Sequence, residues 1–153
     1  MTRKFLMLLA ASGSAALLLS AFGFQHLGGM APCKLCLWQR WPHAAAIAIG
    51  AVALALPRAA LAWLGALAMF ATAGVGAYHT GVERDWWEGP TTCTSGSIGG
   101  MTPEQLMAQI MNAPVVRCDE VAWQLLGLSM ASWNMLASLA LAAIWVAAAR
   151  APR

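Results

Sequence analysis

Four long apolar segments dominate the chain, and short polar connections separate them. An apolar helix of about 20 residues is long enough to cross a hydrocarbon layer of about 30 Å. Proline continues a helix poorly, so Pro57-Arg58 separates the second segment from the third. The pattern predicts an all-α membrane protein, a four-transmembrane-helix bundle in a single domain over residues 1–153, with spans at about 5–24, 39–56, 59–78 and 125–149.

The first apolar segment follows a short basic start, Arg3-Lys4, which is also typical of a cleaved signal peptide. The segment is long for the apolar region of a signal peptide, and further spans follow it. We therefore expect it to be retained as the first span.

Two connections, at about 25–38 and 79–124, lie on the same side of the predicted bundle. The second is long and contains all six acidic residues. Within it, Thr102-Pro103 followed by Gln105 is a typical capped helix start. Apolar residues follow at helical spacing, which predicts a short amphipathic helix that either packs within the loop or lies along the membrane surface.

Composition supports the membrane class and excludes two others. The chain is 60% hydrophobic and 10% charged, with a mean hydropathy of +0.64. A soluble domain carries about a quarter charged residues. Basic tracts interleaved with aromatic residues do not occur, so nucleic acid is not an expected partner, whereas membrane lipid is.

The basic residues indicate the orientation of the bundle. Four spans place both termini and the Pro57-Arg58 turn on one side. That side holds basic residues without acidic ones: Arg3, Lys4, Arg58, Arg150 and Arg153. Because Lys and Arg concentrate in short cytoplasmic segments, the termini are predicted to be cytoplasmic and both loops extracytoplasmic.

Four cysteines fall in these loops, an even number that favours disulfides outside the cytoplasm. Cys33 and Cys36 form a Cys-x-x-Cys pair, which suits either a redox centre or a metal site. If the second helix begins near Cys36, its positive N-terminal end and Arg40, one turn on, favour a thiolate at Cys36. An arginine inside a span is costly enough to indicate function.

The metal alternative is weaker because a structural zinc site needs four ligands in paired spacing. Cys93 and Cys118 lack that spacing, although His79 and Glu83 offer an i, i+4 pair. No metal is therefore predicted. Cys93 and Cys118 form either a structural disulfide, which their spacing favours, or one that exchanges with a protein thiol.

The residues along both loops resemble the disulfide bond formation protein B (DsbB) family. In the first loop the likeness rests on Phe24-Gln25-His26, Pro32, Cys33, Cys36 and Arg40. In the second loop and last span it rests on Tyr78-His79, Cys93, Cys118 to Trp123, Leu126 to Met130 and Trp133. The likeness implies a four-helix inner-membrane oxidoreductase that reoxidises a periplasmic DsbA-like thiol oxidase, with a thioredoxin fold, and reduces a membrane quinone, either ubiquinone or menaquinone.

The resemblance also implies a role for each cysteine. Cys93 is attacked by the partner, the released Cys118 attacks Cys33, and Cys36 remains as a thiolate facing the quinone. Arg40 holds a quinone oxygen, and His79 is a weaker candidate for quinone binding. Whether the resting pairs are 33–36 and 93–118 or a 33–118 bridge stays open.

Two other interpretations remain. A vitamin K epoxide reductase-like enzyme also links quinone to protein thiols, but its Cys-x-x-Cys lies late in the chain, and here it lies early. A non-catalytic membrane scaffold with structural disulfides would keep all four cysteines locked under mild reduction.

Overall fold

The computed structural model describes residues 1–91, 93–94, 100, 102–111 and 116–152, except the side chain of Gln109. Arg153, counted above among the basic residues, lies outside that part of the chain. The structure is mostly helical. Its elements are α1 (Arg3–His26), α2 (Lys34–Ala53), α3 (Ala59–Glu83), α4 (Pro103–Met111), β1 (Gln124–Leu125), β2 (Leu128–Ser129) and α5 (Met130–Arg150).

The four long helices pack as a closed ring. α1 contacts α2 and α5, and α3 contacts the same two helices from the other side. The interior consists mainly of alanine, so the backbones approach closely. Gly65 is one reason: a Cβ built there would lie 2.4 Å from the ring of the fully buried Trp145.

Three of the helices, α1, α3 and α5, are long and apolar enough to cross a membrane. Large apolar side chains such as Leu19, Leu67 and Phe70 remain exposed on their outer surfaces, as expected for a surface that faces lipid. α2 has 20 residues, but its first half carries polar side chains that lower its hydropathy: Gln39, Arg40 and His43.

Local chemistry sets where two helices begin. α2 begins at Lys34, two residues before Cys36, because the Cys33 side chain caps it by accepting a hydrogen bond from Cys36 N. α5 begins at Met130 rather than 125, because Ser129 caps it and the preceding residues form a hairpin.

That hairpin pairs β1 with β2 through a two-residue turn, Leu126-Gly127. Both turn residues have positive φ, 54° and 74°, as a type I′ turn requires. Glycine adopts this conformation freely, whereas leucine does so at a cost. The turn reverses the chain immediately before α5.

The chain ends meet at one end of the bundle, and the cysteines lie at the other. The Arg3 side chain donates hydrogen bonds to the carbonyl oxygens of Ala151 (2.7 Å) and Ala148 (3.3 Å) at the end of α5. A guanidinium suits this position because a helix C-terminus carries partial negative charge. Cys33, by contrast, caps the start of α2, at the opposite end of the bundle.

The short helix α4 begins with a reciprocal cap. Gln105 N donates to Thr102 Oγ1 (3.4 Å), and Thr102 N donates to Gln105 Oε1 (3.0 Å). Its apolar side chains Met107, Ile110 and Met111 are well exposed.

Candidate redox site

All four cysteines meet in one buried cluster at the loop end of the bundle. Cys33, Cys93 and Cys118 pack with Leu35 and Val82, and Cys36 packs against this group. Cys93 and Cys118 are joined by a disulfide. Cys33 and Cys36 are free thiols with their sulfur atoms 2.9 Å apart. The structure therefore brings together two pairs that lie up to 85 positions apart in sequence.

The Cys33 thiol donates a hydrogen bond to the Cys36 sulfur. This bond and burial raise the pKa of Cys33, so Cys33 holds its proton. The accepting sulfur, Cys36, is the one placed to carry negative charge. It lies in the first turn of α2, near the positive end of the helix.

Arg40 lies one turn after Cys36 and is partly buried. Its Nη1 donates to Gln25 Oε1 (2.5 Å) and its Nη2 to the Ala21 carbonyl (3.4 Å), while Phe22 lies 4.9 Å from the guanidinium carbon. These contacts with α1 fix the guanidinium in place. Arginine has five N–H donors, so these two bonds leave donors for a ligand.

His79, near the end of α3, is buried beside Cys33. Its Nε2 lies 3.6 Å from Cys33 Sγ and 3.8 Å from Glu83 Oε1, and its Nδ1 lies 3.0 Å from Gln39 Nε2. His79 therefore contacts Cys33, which packs with the two cysteines of the second loop.

A buried polar network joins α2, α3 and α5 behind this histidine. Gln39 Oε1 accepts from Asn134 Nδ2 (2.8 Å), and Asn134 Oδ1 pairs with His43 Nε2 (3.0 Å). Thr72 Oγ1 accepts from Asn134 Nδ2 (3.2 Å) and donates to the Gln39 carbonyl (3.0 Å). Such side chains are expensive inside a membrane helix unless they satisfy one another.

The Leu35 carbonyl fixes the orientation of the Gln39 amide in this network. Gln39 Nε2 donates to the Leu35 carbonyl oxygen (3.2 Å), which can only accept. The second hydrogen of Nε2 then points to His79 Nδ1, so Nδ1 accepts and the ring proton is on Nε2. His79 therefore presents an N–H to Cys33 and Glu83.

The same proton placement bears on metal binding. Cys33, Cys36 and His79 offer ligand atoms within 4.8 Å of one another. A metal-bound histidine donates its other ring N–H to an acceptor, whereas His79 Nδ1 faces an amide donor. The described surroundings of His79 therefore suit a hydrogen-bond donor better than a metal ligand.

A cavity of about 410 Å³ opens beside the cluster. Its wall is mostly apolar, as in small-molecule sites where a few polar groups fix the orientation of the ligand. The polar groups that concern the chemistry are Cys33, Cys36, Gln39, Arg40, His43, His79 and Asn134.

The second cysteine pair is wholly covered. Cys93 and Cys118 are both 0% exposed, and Cys118 N donates to the Cys93 carbonyl (2.7 Å). Beside them Arg117 forms two hydrogen bonds with Asp119, which lower the pKa of that carboxyl. Neither Cys93 nor Cys118 is therefore accessible from the solvent in this structure.

Sequence reasoning singled out Cys33, Cys36, Arg40 and His79, and the structure places all four at the cavity wall. Sequence reasoning did not single out Gln39, His43, Thr72 or Asn134. Polar residues within apolar segments were the available signal, but their partners lie on other helices, between 33 and 95 positions away.

Several known proteins are similar to this chain in sequence. The sequence model of the family described as "Disulfide bond formation protein DsbB" matches residues 3–148. "Disulfide bond formation protein B 2" of Pseudomonas aeruginosa is 31% identical over 132 residues, covering 82% of this chain and 78% of that protein. "Disulfide bond formation protein B" of Stutzerimonas stutzeri is 28% identical over 152 residues, covering 91% and 90%.

A similar relative, "Disulfide bond formation protein B" of Albidiferax ferrireducens, is 31% identical over 138 residues, covering 82% of this chain and 79% of that protein. No solved structure matches the chain significantly. The family match covers nearly the whole chain, including all four cysteines. The chain therefore belongs to the DsbB family of membrane oxidoreductases that form disulfide bonds.

Proposed function

We propose that this protein reoxidises a periplasmic DsbA-like thiol oxidase and passes the electrons to a membrane quinone. The observation that carries the proposal is the single buried cluster in which both cysteine pairs meet, next to a cavity that Arg40 and Cys36 line. A non-catalytic membrane scaffold would need disulfides only where they stabilise its loops. Here two thiols lie beside a disulfide and share its surroundings.

The partner side of the reaction is thiol–disulfide exchange. A thiolate of the reduced partner attacks Cys93 Sγ, the Cys93–Cys118 bond breaks, and Cys118 leaves as a thiolate. Cys118 then attacks Cys33 in an oxidised Cys33–Cys36 pair, and Cys36 leaves with the electron pair. The partner's second thiol attacks the mixed disulfide, which releases the oxidised partner and a Cys93 thiolate.

The path closes inside the protein. Cys93 attacks Cys118 in the Cys33–Cys118 bridge, which restores the Cys93–Cys118 disulfide and leaves Cys33 and Cys36 reduced. This distribution of one disulfide and two thiols is the one in the structure. Two electrons have then moved from the partner to the pair beside the cavity.

The cavity suits a quinone ring. Its volume of about 410 Å³ lies within the range of small-molecule sites, about 300–1,000 Å³, and its wall is mostly apolar. Arg40 would hold a ring oxygen with its remaining N–H groups, and Cys36 would face the ring. A bound quinone supplies an acceptor for two electrons, strong enough to draw them from a DsbA-like oxidant.

His79 serves the protein-thiol side in this proposal. Its Nε2–H faces Cys33, so it stabilises negative charge on that sulfur when the Cys33–Cys118 bridge opens. Arg40 performs the corresponding task for the cavity. The two residues divide the charge stabilisation between the two ends of the path.

The cysteine end of the bundle is assigned to the periplasmic side of the inner membrane, and both chain ends to the cytoplasmic side. The basic residues Arg3, Lys4, Arg58 and Arg150 support this orientation because they lie at the opposite end. A reporter inserted between residues 102 and 111 that folds only outside the cytoplasm should be active, and activity of a cytoplasm-only reporter there would reverse the assignment.

The function is tested by mixing the purified protein with a reduced DsbA-like protein and a short-chain ubiquinone without oxygen. The fall in quinone absorbance is followed. We expect partner-dependent quinone consumption, its loss in Cys36→Ala, and unchanged rates in the control His26→Gln, whose ring stacks on Phe22 outside the cavity wall. Full activity of Cys36→Ala would refute the proposal, and so would an unmutated protein that consumes no quinone.

A further inference from the structure

One atom at the cavity has no role in the function proposed above. His43 is 3% exposed and lines the cavity, and its Nδ1 is buried without a hydrogen-bond partner among the described residues. Leaving a buried polar atom unpaired is costly, because its bond to water is lost and not replaced. Such an atom in the wall of a cavity indicates a ligand that completes the bond.

The network behind His43 determines which kind of bond is missing. Because Gln39 Nε2 is occupied by the Leu35 carbonyl and His79, Gln39 Oε1 is the group that accepts from Asn134 Nδ2. Asn134 Oδ1 therefore faces His43 and can only accept.

The proton of His43 follows from this direction. Nε2 must donate to Asn134 Oδ1, so in the neutral ring Nδ1 carries a lone pair. The unpaired atom is therefore an acceptor, and it needs a donor from the ligand. A quinone offers carbonyl oxygens, which accept, whereas its reduced form offers hydroxyl groups, which donate.

We propose that His43 Nδ1 accepts a hydrogen bond from a hydroxyl of the reduced ring, so that the site distinguishes hydroquinone from quinone. The inference rests on the proposed quinone function and adds a specificity residue to it. Arg40, a donor, suits a carbonyl or an anionic oxygen, and His43, an acceptor, suits a hydroxyl. The two residues stand three positions apart on the same face of α2.

The Leu35 carbonyl thus determines which ring nitrogen of His43 carries the proton. It does so through hydrogen bonds that pass from α2 to α5 and back to α2. The bonds run from Leu35 to Gln39, from Gln39 to Asn134, and from Asn134 to His43. Asn134 is a positioning residue, because it fixes the His43 ring and its proton and acts on a ligand only through that ring.

Binding is measured in the Cys36→Ala background, where the ring cannot be reduced by the protein. Trp123 and Trp133 line the cavity, so quinone binding is followed by quenching of tryptophan fluorescence, and hydroquinone binding by displacement of the quinone. The variant His43→Phe keeps a planar ring in the cavity wall and removes the acceptor Nδ1.

We expect His43→Phe to weaken hydroquinone binding about five- to tenfold relative to quinone binding, the effect of one lost hydrogen bond. The control His26→Gln should leave both affinities unchanged. If the variant bound quinone and hydroquinone equally more weakly, or bound both as the parent protein does, the inference would be overturned and the quinone function would stay intact. If the parent protein bound neither ring, the proposed function itself would fail, and the inference with it.

A second measurement needs no substitution in the network. In protein labelled with nitrogen-15 at histidine, the His43 spectrum should show the proton on Nε2, and added hydroquinone should shift the Nδ1 resonance. His26 provides the internal control. A proton on His43 Nδ1 in the free protein, or an Nδ1 resonance that hydroquinone leaves in place, would contradict the proposal.

Discussion

At the scale of single residues, two cysteines three positions apart acquire different properties from their surroundings. Cys33 caps α2 and donates to Cys36, so the proton and the charge fall on different sulfurs. The Cys-x-x-Cys motif and Arg40 were recognisable in the sequence, as was the preference for a Cys36 thiolate. The capping role of Cys33 was not, because it depends on the residue at which the helix begins.

This asymmetry predicts the order in which the reduced pair reacts. Iodoacetamide should label Cys36 before Cys33, because thiolates react and Cys36 is also the less buried of the two. Arg40→Gln should slow the labelling of Cys36 by removing a nearby positive charge. Mass spectrometry of the peptides after timed labelling gives the order, and faster labelling of Cys33 would contradict the assignment.

The contacts of His79 could be predicted from the sequence only in part. An i, i+4 pair with Glu83 was visible in the sequence, but its contacts with Cys33 and Gln39 join α3 to α2 across 40 positions or more. Only the packing of the helices decides that its Nδ1 accepts a hydrogen bond and its Nε2 donates one.

At the scale of elements, the apolar pattern was sufficient to predict long helices, but their ends were set by local chemistry. α2 starts earlier than its apolar part because Cys33 caps it, and α5 starts later because a hairpin with its own turn precedes it. The polar face that lowers the hydropathy of α2 is the same face that lines the cavity.

Close packing of α3 against α5 predicts a sharp difference between two glycines. A Cβ at Gly65 would lie 2.4 Å from the Trp145 ring, whereas a Cβ at Gly74 would meet nothing within 4 Å. Gly65→Ala should therefore destabilise the bundle by about 1–3 kcal/mol. Thermal unfolding in detergent measures the effect.

Gly74→Ala is the matched control on the same helix, and its stability should match or exceed that of the unmutated protein, because alanine favours the helix. Equal stability of both variants would mean that α3 and α5 do not approach as closely as described.

At the scale of the whole molecule, the fold places chain ends and cysteines at opposite ends of one bundle. Arg3 joins the start of α1 to the end of α5, and the four cysteines meet where the loops return. The pairing of Cys93 with Cys118 was one of two alternatives left open by the sequence. The structure contains that pair, together with the free thiols that the exchange path requires at one of its stages.

Disulfide mapping after rapid mixing shows whether the two cysteine pairs form one path for electrons. Protein with both pairs oxidised is mixed with a reduced DsbA-like protein without quinone, and the reaction is stopped with an alkylating reagent. We expect a transient Cys33–Cys118 bridge with Cys36 labelled. If Cys93 and Cys118 became reduced while the Cys33–Cys36 disulfide stayed intact, the path would be contradicted.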